Sequence, residues 1–244
     1  MIEQGFRTTS LGAAFSTIKK AAAPLRRQVL DELRQSIISG RSAPGNRLVE
    51  RELIEMLGVS RTVIREALRQ LETEGLIAIL PNKGPIVREL TASEAKDLYS
   101  IRAVLEGLAA RLFVQNASNA QVEELERELD RTANAYQSND PEQILETKNR
   151  FYDVLFDGAR SETLSSMIAI LHTRIWRWRA LGLSHPRRSD HRWRESIGGL
   201  RLMLIAVKNR DADLAERLIR EEVTRANAEV MRLIAADQAP ASEK

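Results

Sequence analysis

Apolar residues recur at helical spacing through most of this chain. Leu25, Val29, Leu33 and Ile37 return every four positions, the mark of a helix with one buried stripe. Pro24 suits its first turn and Gly40 its end, which predicts a helix from Pro24 to Gly40. Leu53, Ile54 and Leu57 give an apolar side to a short helix over 50–57. Val63, Ile64, Ala67, Leu68 and Leu71 do the same for a helix over 61–74, which Gly75 stops. "LIAIL" and "IVREL" then read as two short strands around the turn "PNKGP". Beyond Leu90 the pattern is helical only, over 92–115, 119–138, 141–157, 162–181, 190–209 and 212–236. Thr91 with Glu94 forms a capping box, and Ser118, Asp140-Pro141 and Asp211 mark further helix starts. Residues 1–22 are small, polar and aperiodic and read as a loose extension, and 238–244 as a frayed tail. The expected fold is mainly α: a winged helix-turn-helix domain over 23–90, then an all-α bundle over 91–237.

Between the second and third helices, Gly58 can take the left-handed turn and Ser60 can cap the third, which is a helix-turn-helix connection. On the third helix Arg61, Arg65 and Arg69 are four residues apart. Each step drifts about 40° around the axis, so they form one column, bordered by Thr62. Such a face fits a DNA major groove, where arginine donates two hydrogen bonds to guanine. A solvated arginine face is the plain alternative for an isolated helix. Cap, glycine turn, arginine column and hairpin in one order speak for the groove.

"SGR-x-x-PG-x-RL", "ERELIEMLGVSRTVIREALRQLE-x-EGL" and "PNKG" resemble the winged-helix domain of GntR-family transcription regulators, over residues 27–90. The resemblance implies that Arg51, Arg61 and Arg65 read DNA and that Ser60 and Thr62 touch phosphates. It also implies that Gly84 with its neighbours Asn82 and Lys83 enters the minor groove. Val63 stands where many members have proline, a departure expected to alter little. "LYSIRAVLEGLAARL", "NRFYDVLFDGARSETLSSMI" and "AVKNRDADLAERLIREEV" resemble the effector-binding domain of the FadR-type, or FCD, subfamily. This implies a homodimeric repressor on a palindromic operator, controlled by a small ligand in the bundle.

Many such relatives hold a divalent metal through one acid and three histidines. Here those positions fall on Lys148, Tyr152, Leu200 and Glu222. One carboxylate and one phenol do not make a metal site, and a lysine repels a cation. His191 lies nine residues before Leu200, about 180° around a helix, and cannot replace the missing ligand. The expectation is no metal and no other cofactor. In its place Arg102, Lys148, Tyr152 and Arg174 are expected to form a direct cationic site for a carboxylate or phosphate, a carboxylate-bearing organic acid foremost. The alternative is a Lys148–Glu222 salt bridge in a filled core.

Charge and composition narrow the rest. Lys+Arg number 37 against 34 Asp+Glu, too even for a wholly basic coat, so DNA contact must come from local clustering. Without cysteine there is no disulfide, no thiolate zinc site and no thiol catalysis. No apolar run approaches membrane-spanning length and the N-terminus lacks signal-peptide order, so a soluble, cytoplasmic protein is expected.

"HTRIWRWRALGLSHPRRSDHRWRE", residues 172–195, holds every histidine and tryptophan and seven arginines. Gly182 and Pro186 place a loop at "GLSHPRRS". Ile175, Trp178 and Leu181 are expected in the core, one tryptophan at an interface, and Arg187 and Arg188 on a solvated loop. Arginine with aromatics can also stack on single-stranded bases. No nucleophile-base pair, phosphate loop or metal set points to an enzyme. A DNA-binding regulator or architectural protein without effector, its helices serving only dimerisation, is the other reading.

Overall fold

The computed structural model describes residues 22–238 apart from the single positions 39, 90, 139 and 190. The loose extension and most of the tail expected from the sequence lie outside the described residues.

The first unit packs α1 (Ala22–Ile38), α2 (Glu50–Leu57) and α3 (Arg61–Thr73) with a hairpin of β1 (Ile77–Leu80) and β2 (Gly84–Val87). Its own core is built from Val29, Leu33, Leu53, Ile64, Leu68, Leu71, Ile77 and Val87. Gly58 takes φ 64° to end α2 while its N–H bonds the Ile54 carbonyl, and the Ser60 side chain accepts from the Val63 N–H to start α3. Two expectations need correction. Leu25 is exposed, because α1 starts beyond the edge of the core, and Leu30 packs there instead. The turn is also tighter than "PNKGP": Gly84 pairs with Leu80 and Pro85 with Ile79, leaving only residues 81–83 to reverse the chain. Asn82 supplies the left-handed φ of 62°. Pro85 is tolerated because the N–H it lacks would face away from β1, on the side where its carbonyl accepts from Leu48 N–H.

The second unit is α4 (Ala92–Asn116), α5 (Asn119–Ser138), α6 (Pro141–Gly158), α7 (Glu162–Ser184), α8 (Arg192–Lys208) and α9 (Ala212–Gln238). α4 lies along α9, α5 along α6, and α8 closes on α9 and α5. Phe113, Phe151, Tyr152, Ile175, Leu200 and Ile219 anchor one continuous core. The capping box at Thr91 and Glu94 and the Asp140 cap both form, and Asp211 accepts from Leu214 N–H. The expected loop at Gly182 does not form: α7 runs on to Ser184. A mid-helix glycine costs about 1 kcal/mol against alanine, but here it lets α7 approach Val230 of α9. Pro186, without an N–H, is where the helix cannot continue. Among the described residues no helix is long and apolar enough to cross a membrane.

Candidate functional site: an arginine face and a cationic cavity

The face of α3 turned from its core carries Arg61, Thr62, Arg65 and Arg69, all exposed. Val63, Ile64, Ala67, Leu68 and Leu71 bury the opposite side, so the hydrophobic pattern fixes the rotation of the arginine column. Arg65 Nε stands 3.9 Å from Glu50 Oε1 and Arg51 Nε 4.0 Å from Glu55 Oε1. Both pairs are solvent-exposed and weak, so an incoming phosphate can displace them. Asn82 and Lys83 are exposed at the hairpin tip, and Gly84 is half-buried below it. Arg47 lies at the base of that hairpin, its guanidinium under 4 Å from where a Gly84 side chain would begin. Sequence reasoning missed Arg47, although it sits inside the quoted "PG-x-RL" motif.

Inside the bundle a cavity of about 60 Å³ opens between α4, α5, α6, α7, α8 and α9. Arg102, Lys148 and Tyr152 line it together, with Arg179, Arg192, Ser196 and Glu222. Arg174 does not. It lies on another side of α7, with Nε 3.0 Å from the Cβ position of Gly75 in the first unit. Five residues separate Arg174 from Arg179, about 140° around a helix, and it is Arg179 that turns inward. Leu200, one of the positions set by the resemblance, is fully buried and does not line the cavity. Ser196, one turn earlier on α8, does.

The charges form two clusters. Arg102 bonds Glu106 through Nε at 2.6 Å and Nη2 at 3.2 Å, and lies over the rings of Tyr99 and Tyr152. Glu106 also meets His172 Nε2 at 2.5 Å. Burial opposes the charge on Glu106, but Arg102 and then His172 hold its pKa down to about 2. Burial, then Arg179, pushes His172 down to about 4, so the imidazole is neutral. Its Nε2–H therefore donates to Glu106, and Nδ1 accepts from Arg179 Nη1 at 3.5 Å. Burial also pushes the Tyr152 hydroxyl up, leaving it a neutral donor.

In the second cluster Glu222 Oε1 accepts from Ser196 Oγ at 2.6 Å and Arg192 Nη2 at 2.9 Å, with Lys148 Nζ at 3.9 Å. Burial works against its ionisation, yet Lys148 and Arg192 together hold its carboxyl below the usual range. Lys148 also donates to Ser196 at 3.1 Å. The salt bridge that was the alternative to a ligand site thus exists, but beside a cavity.

This donor set does not fit a divalent metal. Glu222 Oε1 is occupied by cationic and hydroxyl donors, and its unbonded Oε2 is one carboxylate oxygen among Lys148, Arg192 and Arg225, a setting that repels a cation.

Arg179 is different from its neighbours. It is buried, bonds only Asn149 Oδ1 at 2.8 Å besides His172, and forms no ion pair among the described residues. Burial and Arg102 lower its pKa. Neither Arg179 nor Arg192 was foreseen.

The rest of the histidine- and tryptophan-rich stretch is largely structural. Trp193 stacks on Tyr136. Arg187 is tied to the Ala236 carbonyl and Asp237, and Arg188 to the Leu183 carbonyl. They are therefore cations at helix C-termini rather than free loop charges. Ile175 is core and Trp178 is only partly buried; the Leu181 side chain lies outside those described.

A three-helix unit with a two-stranded wing, presenting an arginine face and joined to an all-helical bundle, defines a DNA-binding regulator. Residues 25–87 match the bacterial regulatory proteins of the gntR family and residues 97–225 match the FCD domain. The chain belongs to the GntR family of transcriptional regulators, in its FCD-bearing branch. It is 29% identical to the uncharacterized HTH-type transcriptional regulator YdhC of Bacillus subtilis, over 80% of this chain and 85% of that protein. It is 26% identical to the HTH-type transcriptional repressor RspR of Escherichia coli, over 82% of this chain and 86% of that one. The solved structure of Escherichia coli McbR superposes with a TM-score of 0.73 at 26% identity, covering 85% of this chain and 97% of that chain. Members of the family and these relatives are transcriptional regulators, not enzymes.

Proposed function

We propose that this regulator is a repressor that binds a palindromic operator as a homodimer and answers to a small carboxylate held in the bundle without a metal. Residues 23–90 act as the DNA-binding domain and residues 91–237 as the effector and dimerisation domain. Arg51, Arg61 and Arg65 read base edges, Ser60 and Thr62 hold phosphates, and Asn82, Lys83 and Gly84 approach the minor groove. The exposed arginine column of α3 supports the DNA assignment. Ile101, Val104 and Leu108 leave an apolar stripe exposed on α4, which supports pairing of two copies. The relative named a repressor supports the sign.

Arg179 carries the effector assignment. A guanidinium buried with no carboxylate bonded to it is costly, and this one faces a cavity shared with Arg102, Lys148 and Arg192. A carboxylate there would accept from Arg179 and Lys148 and from the Tyr152 hydroxyl. The cavity is less than half the size of one that takes up benzene, about 150 Å³, so it suits an acid of only a few heavy atoms. The pairing of Glu222 with Lys148 and Arg192 favours the second reading, a bundle that only dimerises. Selecting bound fragments from genomic DNA gives the operator. Calorimetry with acetate, propionate and glycolate on the wild type and Lys148→Ala tests the pocket. Binding that weakens in the variant supports the sensor, and no binding by any acid leaves the dimerisation reading.

A further inference from the structure

A second cavity, of about 210 Å³, lies where α7 meets the winged unit. Ile37, Leu76 and Val87 wall it on one side and Trp176 and Trp178 on the other. Two side-chain donors on α7 are buried with no hydrogen-bond partner among the described residues: Arg174 Nε and Trp178 Nε1. Both belong to residues lining this cavity. Buried donors without acceptors are rare and cost free energy, and finding two at one apolar cavity points to a missing acceptor. No aspartate or glutamate lines the cavity. Its second cation, Arg88, is engaged by Glu94 at 2.5 Å. Thr173 Oγ1 is spent on the Ala169 carbonyl.

We propose that this interdomain cavity is a separate ligand site for a flat aromatic carboxylate. The carboxylate accepts from Arg174 and from the Trp178 indole N–H, and the ring lies between the tryptophans and Leu76. The volume exceeds the ~150 Å³ that admits benzene, so one or two fused rings fit. Charge-assisted bonds give the polar end its strength. Arg174 reaches this position because Gly75 leaves it room: a Cβ there would stand 3.0 Å from Nε. Gly75, at φ 76°, also directs the chain from α3 into β1. A ligand here touches both α7 and the Gly75–Leu76 segment that follows α3. It therefore has different affinities for different settings of the two units, which is what control of DNA binding requires.

The site is independent of the bundle cavity, since Arg174 and Arg179 point to different sides of α7. The test is calorimetry of the full chain with 2-naphthoate and with the uncharged naphthalene-2-carboxamide. The expected result is saturable binding of one naphthoate per chain and at least tenfold weaker binding of the amide. Arg174→Gln should weaken naphthoate at least tenfold and Trp178→Phe, which removes the indole N–H, at least threefold, while Lys148→Ala leaves it unchanged. Absence of saturable binding, equal affinity in Arg174→Gln, or a loss confined to Lys148→Ala would each overturn the proposal.

Discussion

Replacing Arg179 with glutamine should make the ligand-free protein more stable and less able to bind an anion. The guanidinium is buried, lowered in pKa by that burial and by Arg102, bonded to a neutral amide and a neutral imidazole, and offset in part by the charge of Glu106, which it does not bond. Replacing a whole buried ion pair by neutral groups of similar volume is often neutral or stabilising by about 1–4 kcal/mol, and one poorly paired cation falls in the lower half of that range. Glutamine keeps a donor toward Asn149, so about 1–2 kcal/mol is expected here. With an unfolding entropy of about 2.1 cal/mol/K per residue over 244 residues, that raises Tm by about 2–4 °C. A charge-assisted hydrogen bond is worth about 1.5–3 kcal/mol, so affinity for a short carboxylate should fall roughly 10- to 150-fold. Calorimetric unfolding without added anion and titration with acetate or glycolate read the two effects. A Tm that drops by several degrees together with unchanged anion affinity would refute the argument, because Arg179 would then be a structural cation.

Two further outcomes concern the bundle. Gly158→Ala would set a Cβ 2.4 Å from the ring of Phe113. Overpacking of this kind costs about 1–3 kcal/mol, so a Tm lower by roughly 2–6 °C is expected, and an unchanged Tm would contradict the close approach of α6 to α4. Acid should weaken the fold early through His172. Its folded pKa, about 4, lies below its ordinary 6.5, so the unfolded chain takes up the proton first. Stability is therefore lost as pH falls from about 6.5 to about 4. His172→Gln should flatten the Tm profile across that window, and a slope equal to wild type would remove His172 as its source.

Much of the fold was legible because burial follows helical period wherever a stripe is long. Val63, Ile64, Ala67, Leu68 and Leu71 fixed both α3 and the outward turn of its arginines. Element ends were less legible, since Gly182 breaks helices by propensity but here serves packing against Val230. The cavity was read in part. Arg102, Lys148 and Tyr152 come together, whereas Arg174 was chosen over Arg179. A signal for Arg179 was present: Leu164, Ile168, Leu171 and Ile175 set the buried stripe of α7, and residue 179 continues it at the next turn. An arginine on a core stripe is the sequence mark of a buried charge. Arg192 had a similar mark, one turn before Ser196 on the inward face of α8. The interdomain cavity had none, because it depends on how two separately folded units meet.

The central claim is that the arginine column of α3 reads DNA sequence. Fluorescence anisotropy on a site recovered from genomic DNA, beside a scrambled duplex of equal length, tests it with Arg65→Ala. The wild type should prefer the recovered site. The variant should lose roughly 5- to 150-fold on it, the equivalent of about 1–3 kcal/mol for a bidentate arginine–guanine pair, and much less on the scrambled duplex. A variant that binds both duplexes as the wild type does, with its preference intact, would contradict the account.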